Sequence, residues 1–211
     1  MSSPDDTSMA GSSAAARSVP SNWNIANALT LLRLALVPVF GWLLLGADGS
    51  DAWRWGALGV FVLASITDQI DGHLARKRGL VTDVGAVADP IADKLLTGFA
   101  FVALSILGEL PWWATIIILV REWGITALRF WVIRYGVISA SPGGKLKTSL
   151  QIVVLIAYLT PLPDALDSAL EPALGRVLTV LLVATVAVTV YTGIDYVTRA
   201  IALRREGRSR G

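Results

Sequence analysis

Six apolar runs separated by short charged segments limit what this chain can fold into. Several of the runs approach the roughly 20 residues that an α-helix needs to cross a lipid bilayer. The mean hydropathy of +0.62 and the 54% share of hydrophobic residues are too high for an ordinary soluble domain. We therefore expect an all-α integral membrane bundle of six transmembrane helices, at about residues 28–45, 53–74, 85–107, 112–135, 146–159 and 174–203.

The remaining segments divide the chain into three parts. Residues 1–20 are rich in Ser, Ala, Asp and Pro, which predicts a disordered tail. They lack the basic-then-apolar order of a cleaved signal peptide, so we expect them to remain attached. Residues 21–205 are predicted to form the membrane domain, which opens with a short interfacial helix over 21–27, and residues 206–211 to form a basic C-terminal tail.

The charges of the loops predict the orientation. The segments after the second and fourth spans and the C-terminal tail hold most of the lysines and arginines, whereas the other loops are mainly acidic. By the positive-inside rule both termini then lie on the cytoplasmic side of the inner (cell) membrane. The basic residues flank apolar spans and form no basic aromatic face, which argues against nucleic-acid binding. The chain has no cysteine, which excludes disulfides, thiol catalysis and zinc–thiolate sites.

Four aspartates lie beside or within the second and third apolar runs. Asp68 and Asp71 are three residues apart, and Asp89 and Asp93 are four apart, so each pair shares one face of a helix. A carboxylate in the membrane costs roughly 2.5–3.5 kcal/mol on insertion scales and normally faces a cavity with a partner. A set of oxygen ligands suits Mg²⁺ or Mn²⁺. We expect a divalent-metal site near the cytoplasmic side, because Asp68 lies only about 12 Å along a helix from the basic residue Arg76. The alternative is a buried ionic cluster with a packing role.

Other charged residues in the apolar runs also need partners. Asn27, Thr30 and Arg33 are spaced three apart and share a helix face. Arg33 requires an acidic or phosphate partner, unless its side chain extends along the membrane to the interface. Glu122 is expected to pair with a basic neighbour.

The aspartates belong to a longer signature. Asp-x2-Asp-Gly-x2-Ala-Arg-x8-Gly-x3-Asp-x3-Asp, with its eight fixed positions, resembles the motif of the CDP-alcohol phosphotransferase family; the positions are Asp68, Asp71, Gly72, Ala75, Arg76, Gly85, Asp89 and Asp93. The resemblance implies transfer of a phosphatidyl-type group from a CDP-linked donor to an alcohol, with release of CMP. It also implies a homodimer.

The resemblance further implies a role for each residue. Asp68, Asp71, Asp89 and Asp93 would hold the metal, two ions in each active site, and Asp93 would also act as the general base. The CDP group would be bound by Asn27, Thr30, Asp68, Gly72, Ala75, Arg76 and Gly85. Gly72 and Gly85 allow close approach of the backbone to a nucleotide, although tight helix packing explains two glycines as well.

The acceptor is predicted from the rest of the chain. Residues 22–155 resemble the family members that use sn-glycerol 3-phosphate, with Ala26 as a departure from proline at the entry to the first span. The expected reaction takes CDP-diacylglycerol and sn-glycerol 3-phosphate to phosphatidylglycerol phosphate and CMP. The cationic pocket for the acceptor phosphate is predicted to comprise Arg121, Lys145 and Lys147, with Arg129 and Arg199 behind them; simple positive-inside anchoring is the alternative.

Three other functions stay open at this point. The same fold could use inositol phosphate or phosphatidylglycerol as the acceptor. A divalent-cation transporter could use the four aspartates as its ion site, but the chain shows no inverted pair of broken helices. A structural membrane protein would need the aspartates only for folding.

Overall fold

The computed structural model describes residues 25–46, 50–78, 83–132, 142–161 and 170–209. Within these ranges all regular secondary structure is α-helical, joined by short turns, and there is no strand. For residues 25–29, 68–78, 83–90, 92–93, 142 and 206–209 the description covers the helical backbone and not the side chains. The six helices are α1 (Ile25–Leu45), α2 (Asp51–Arg78), α3 (Asp83–Ile106), α4 (Trp112–Val132), α5 (Pro142–Leu159) and α6 (Leu170–Ser209).

Each predicted span coincides with one helix, so the all-α prediction is confirmed for the described residues. Several helices are longer than the apolar runs: α2 continues to Arg78, α5 begins at Pro142, and α6 has 40 residues. At the ends of α2 and α6 the physical reason is that lysine and arginine are good helix formers, so these helices continue after their apolar stretches have ended. The separate interfacial helix over 21–27 does not match, since Ile25 already starts α1; residues 21–24 lie outside the described part.

One described helix meets the length and composition expected of a membrane span. It is the stretch Leu170–Arg205 of α6, which contains 18 consecutive residues with a mean hydropathy of 2.2. Thr30–Leu45 and Lys94–Ile106 are shorter apolar helices.

The helices pack as two groups of three. α1 packs against α2 and α3, while α6 packs against α4 and α5; α3–α4, α2–α5 and α3–α5 contacts join the groups. The shared core is apolar and includes the fully buried rings of Phe40 and Phe61, whose centroids lie 6.0 Å apart. Phe99 meets Phe40 edge-on at 6.2 Å. These aromatic contacts hold α1, α2 and α3 together.

One end of the bundle is closed by a polar network around Arg54. The Arg54 guanidinium pairs with Glu109 in the α3–α4 turn and donates to the carbonyls of Tyr158 (2.7 Å) and Leu159 (3.2 Å) at the end of α5. Gly108 ends α3 with a φ of 76°, a conformation that favours glycine. This outer end therefore gathers the start of α2 and the ends of α3 and α5. The opposite end, called the site end below, holds the end of α2 and the starts of α3 and α5.

Candidate functional site

The predicted aspartates lie at the site end. Asp68 and Asp71 are in the second half of α2, and Asp89 and Asp93 are in the first half of α3. Only residues 79–82 separate the two helices. The chain connection therefore brings the two pairs to the same end of the bundle, as the motif predicts.

The side chains of this motif lie outside the described part. That holds for all eight signature residues, so the metal and CDP roles given to them stay predictions. Among the described side chains no group of three or more acids or histidines could hold a metal ion. The donor set itself fits the metal that the family implies, because four carboxylates supply the hard oxygen ligands that Mg²⁺ and Mn²⁺ prefer.

The polar face of α1 points into the bundle. Thr30 and Arg33 are 3% and 1% exposed, which agrees with the shared face predicted from their spacing. Such burial excludes the alternative in which Arg33 extends along the membrane to the interface. The side chain of Asn27 lies outside the described part, and the CDP-binding roles of Asn27 and Thr30 stay predictions.

A buried carboxylate organises the interface of α4, α5 and α6. Glu122 Oε1 accepts hydrogen bonds from Lys147 Nζ at 2.6 Å, Arg121 Nη1 at 3.0 Å and Gln151 Nε2 at 3.4 Å. The Glu122 and Lys147 side chains are only 12% and 8% exposed. The expectation that Glu122 pairs with a basic residue is thus confirmed, with two cations in place of one. We call Arg121, Glu122, Lys147, Gln151, Thr189 and Thr192 the Glu122 cluster.

The side chain of Arg121 is fixed in place by α6. Its Nε donates to the Thr189 carbonyl at 3.1 Å, and its Nη2 donates to the Thr192 hydroxyl at 3.0 Å. Gly193 makes room for it, because a Cβ there would lie 3.1 Å from Arg121 Cγ. Gln151 Nε2 also donates to Thr189 Oγ1 at 3.2 Å and so ties α5 to the same turn of α6.

The Glu122 cluster carries surplus positive charge. Two buried cations face one carboxylate, and Lys94 of α3 is near enough for its charge to act on both Glu122 and Lys147. Buried charge is stable only when it is paired and hydrogen-bonded. The arrangement can therefore accept a further anion, and a phosphate group is the natural one for arginine and lysine donors.

The other predicted phosphate ligands do not join this cluster. Arg129 is exposed and lies over the Tyr196 ring, with 5.9 Å from its Cζ to the ring centroid. Arg199 pairs with Asp195 at 3.1 Å, and its side chain is 53% exposed. Lys145 is exposed at the start of α5. The structure therefore brings together Arg121 and Lys147 among the five candidates.

Sequence reasoning missed the contribution of α6. Thr185, Thr189 and Thr192 are all buried, and their i, i+4, i+7 spacing places them on one face of the helix. That periodic polar stripe inside an apolar run was the signal available in the sequence. Gln151 is a second missed member; its buried amide stands at the start of the apolar half of α5, where a polar partner is expected.

These features together define a class of protein. The sequence model of the CDP-alcohol phosphatidyltransferase family matches residues 23–191, and the chain belongs to this family. The resemblance indicated by the eight-residue signature is thereby confirmed.

Three curated relatives show which members of the family the chain is similar to. The chain is 50% identical over 179 residues to "Probable phosphatidylglycerophosphate synthase" of Mycobacterium tuberculosis (strain ATCC 25618 / H37Rv), covering 84% of this chain and 82% of that protein. It is 37% identical over 153 residues to "CDP-diacylglycerol--glycerol-3-phosphate 3-phosphatidyltransferase" of Bacillus subtilis (strain 168), covering 65% of this chain and 77% of that protein. A protein with the same name from Rickettsia typhi is 43% identical over 136 residues, 63% of this chain and 74% of its own length.

Proposed function

We propose that this protein transfers the phosphatidyl group of CDP-diacylglycerol to sn-glycerol 3-phosphate, giving phosphatidylglycerol phosphate and CMP in phospholipid biosynthesis. The family and the names of the relatives support this reaction. The structural observation that supports an acceptor bearing a phosphate is the Glu122 cluster, and the names of the relatives support sn-glycerol 3-phosphate among such acceptors. Its surplus of buried positive charge forms a binding site for a phosphate group, which glycerol 3-phosphate has and a neutral alcohol lacks.

The Glu122 cluster lies near the turn of α3 that carries the predicted catalytic residue. Lys94 directly follows Asp93 on α3, and its charge acts on Glu122 and Lys147. An acceptor whose phosphate sits at the cluster therefore has its hydroxyls near this turn of α3. This adjacency supports Asp93 as the base that receives the hydroxyl proton.

The reaction then needs one proton transfer and one substitution at phosphorus. Asp93 takes the proton of the acceptor hydroxyl, and the resulting oxygen attacks the phosphorus that bears the diacylglycerol group. The bond from that phosphorus to the CMP oxygen breaks, and CMP leaves. Two divalent ions, Mg²⁺ or Mn²⁺, held by Asp68, Asp71, Asp89 and Asp93 would supply the neutralisation of pyrophosphate charge that this chemistry requires. Arg121 and Lys147 orient the acceptor through its phosphate.

The proposal includes a six-span arrangement in the inner membrane, with both termini and the site end facing the cytoplasm. Large apolar side chains are exposed on every helix group, such as Trp42 at 61%, Val120 at 68% and Val180 at 68%, which suits contact with lipid. Trp42 and Trp53 meet edge-on at 4.9 Å near the outer end, with Trp112 and Trp113 exposed at the start of α4. Tryptophans at helix ends fit an interfacial aromatic belt. A homodimer would cover part of this apolar surface.

The test is CMP release by the full-length protein in detergent with CDP-diacylglycerol and Mg²⁺. sn-Glycerol 3-phosphate, inositol 1-phosphate and phosphatidylglycerol are supplied in separate reactions. We expect release with sn-glycerol 3-phosphate alone, and identification of the lipid product by mass spectrometry. Release with another acceptor in its place would overturn the choice of acceptor, whereas metal flux into proteoliposomes without a lipid substrate would favour the transporter.

Asp93→Asn tests the base, with Asp51→Asn as its matched control because Asp51 is exposed at the outer end of the neighbouring helix α2. We expect the Asp93 variant to lose about 10²–10⁴-fold in turnover, the usual contribution of a general base. The Asp51 variant should retain full activity. Equal turnover of both variants and the unmodified protein would refute the assignment of Asp93.

A further inference from the structure

A groove between α4 and α6 is lined by no member of the Glu122 cluster and by none of the four aspartates. It opens near the site end and has a volume of about 430 Å³. Its wall is apolar, and its rim carries two arginines; the residues that matter here are Leu128, Trp131, Val197, Ile201, Arg204 and Arg205. None of them belongs to the predicted metal, CDP or acceptor sites.

The charge of this groove has one sign. Arg204 and Arg205 are both exposed and are the only charged residues among the described ones that line it. Arg204 lies over the Trp131 ring with its Cζ 4.9 Å from the centroid. A cation–π contact of this kind holds the guanidinium at the rim and leaves its N–H donors available to an anion.

The position of Arg204 and Arg205 along α6 indicates how deep in the membrane an anion bound to them would lie. The last apolar residues of α6 are Ala200 to Leu203, and Arg204 and Arg205 follow them directly, so both arginines stand at the end of the apolar part of the helix. Exposed Trp131 lies at the same level on α4. Arginine and tryptophan at the end of an apolar helix mark the headgroup region of a bilayer. Below them, the exposed side chains of Val197 and Ile201 form an apolar surface.

We propose that the α4–α6 groove binds an anionic phospholipid of the cytoplasmic leaflet, separate from the lipid that reacts. Its phosphate lies against Arg204 and Arg205, and one acyl chain lies on Val197 and Ile201. Two arginines attract a lipid with a net negative charge more strongly than a zwitterionic lipid, and the apolar wall below them suits its acyl chain. This inference needs α6 to span the bilayer but does not depend on the transferase reaction.

The experiment measures lipid retention by the full-length protein without CDP-diacylglycerol. Native mass spectrometry from detergent compares phosphatidylglycerol with phosphatidylcholine of the same acyl chains. We expect about tenfold preferential retention of phosphatidylglycerol, and its loss in the double variant Arg204→Gln/Arg205→Gln, since each arginine near the surface strengthens anionic lipid binding several-fold. Arg176→Gln is the matched control, because Arg176 is an exposed arginine toward the other end of the same helix.

A second readout places the lipid at the groove. Phosphatidylglycerol brominated on its acyl chains should quench Trp131, so Trp131→Phe and the double arginine variant should each show a smaller quenched fraction than Arg176→Gln. Asp93→Asn should keep the preference for phosphatidylglycerol, which separates this inference from the proposed catalysis.

Three results would overturn the proposal. The first is equal retention of phosphatidylglycerol and phosphatidylcholine by the unmodified protein. The second is a loss of the phosphatidylglycerol preference in Arg176→Gln as large as that in the double arginine variant. The third is loss of this preference in Asp93→Asn, which would place the lipid in the reaction site. Conversion of a dimer to a monomer by the arginine variants, with unchanged lipid retention, would instead make the groove an interface between copies.

Discussion

Replacing Glu122 is expected to destabilise the protein through an uncompensated buried charge. Glu122 accepts from Lys147 at 2.6 Å and Arg121 at 3.0 Å, and the Lys147 side chain is 8% exposed. Arg121 keeps its bonds to α6, but Lys147 loses its carboxylate partner in Glu122→Ala. Breaking a buried ion pair by removing one partner costs about 3–5 kcal/mol. Glu122→Gln keeps an oxygen acceptor of the same shape and should lose less, about 1.5–3 kcal/mol, the range for a hydrogen bond to a charged group.

The double variant separates stability from acceptor binding. Glu122→Leu with Lys147→Met removes the Glu122–Lys147 ion pair and fills the space with apolar groups, so the free energy of unfolding should be higher than in Glu122→Ala. It should stay below that of the unmodified protein, because Arg121 keeps its bonds to α6 but has lost its carboxylate partner. Lys147 is nevertheless absent, and the KM for sn-glycerol 3-phosphate should rise about tenfold to hundredfold in both Lys147→Met and the double variant. The KM for CDP-diacylglycerol should not change.

The assays are reversible unfolding in mixed micelles and initial rates of CMP release at varied acceptor. Asp195→Asn is the control, because the Asp195–Arg199 pair is exposed and should contribute less than about 1 kcal/mol. Unchanged stability of Glu122→Ala would refute the buried-charge reasoning. Recovery of acceptor affinity in the double variant would show that Lys147 has only a structural role.

Four further predictions concern the metal, the core, and Gly175 and Gly193 in α6. Removal of divalent ions with EDTA should abolish CMP release, and Mg²⁺ or Mn²⁺ should restore it; full activity in EDTA would contradict the metal role of the aspartates. Phe61→Ala should lower the free energy of unfolding by about 3–5 kcal/mol, since the ring is fully buried against Phe40; a loss below about 1 kcal/mol would contradict this packing. Gly175→Ala should stabilise α6 by about 0.5–1 kcal/mol, because nothing lies within 4 Å of the added Cβ. In Gly193→Ala the added Cβ would lie 3.1 Å from Arg121 Cγ. This variant should therefore raise the KM for the acceptor and show no increase in the free energy of unfolding.

Much of the helical layout could be predicted because its causes are local. Apolar runs and turn residues predicted six helices within a few residues of their centres. Gly108 follows the end of α3, and Pro111 directly precedes the start of α4. The ion pair between Asp195 and Arg199 was visible as an i,i+4 spacing. The bounds were less accurate, since charged residues extend α2 and α6 beyond their apolar stretches.

In the candidate site, too, the part with short-range spacing could be predicted from the sequence and the part that joins distant helices could not. The aspartate signature could be recognised directly because its spacing is short and lies on two consecutive helices. The Glu122 cluster joins residues from three helices; Lys147 is 25 residues from Glu122, and Thr192 is 71 from Arg121. Pattern reasoning ranked Lys145 with Arg121 and Lys147 and placed Arg129 and Arg199 behind them, because all five are basic residues in or beside apolar runs.

The sequence by itself determined the helices, the family and the positions of the aspartates, since hydrophobic periodicity and short-range spacing act within one or two turns of a helix. Only the tertiary structure decided which charges meet. The packing of α4 and α5 against α6 places Glu122 between two cations, while Arg54 reaches Glu109 and the end of α5 at the outer end. The physical reason is that a buried charge takes whichever partner the helix packing brings within about 3 Å, and that packing depends on the shapes of all the helices together.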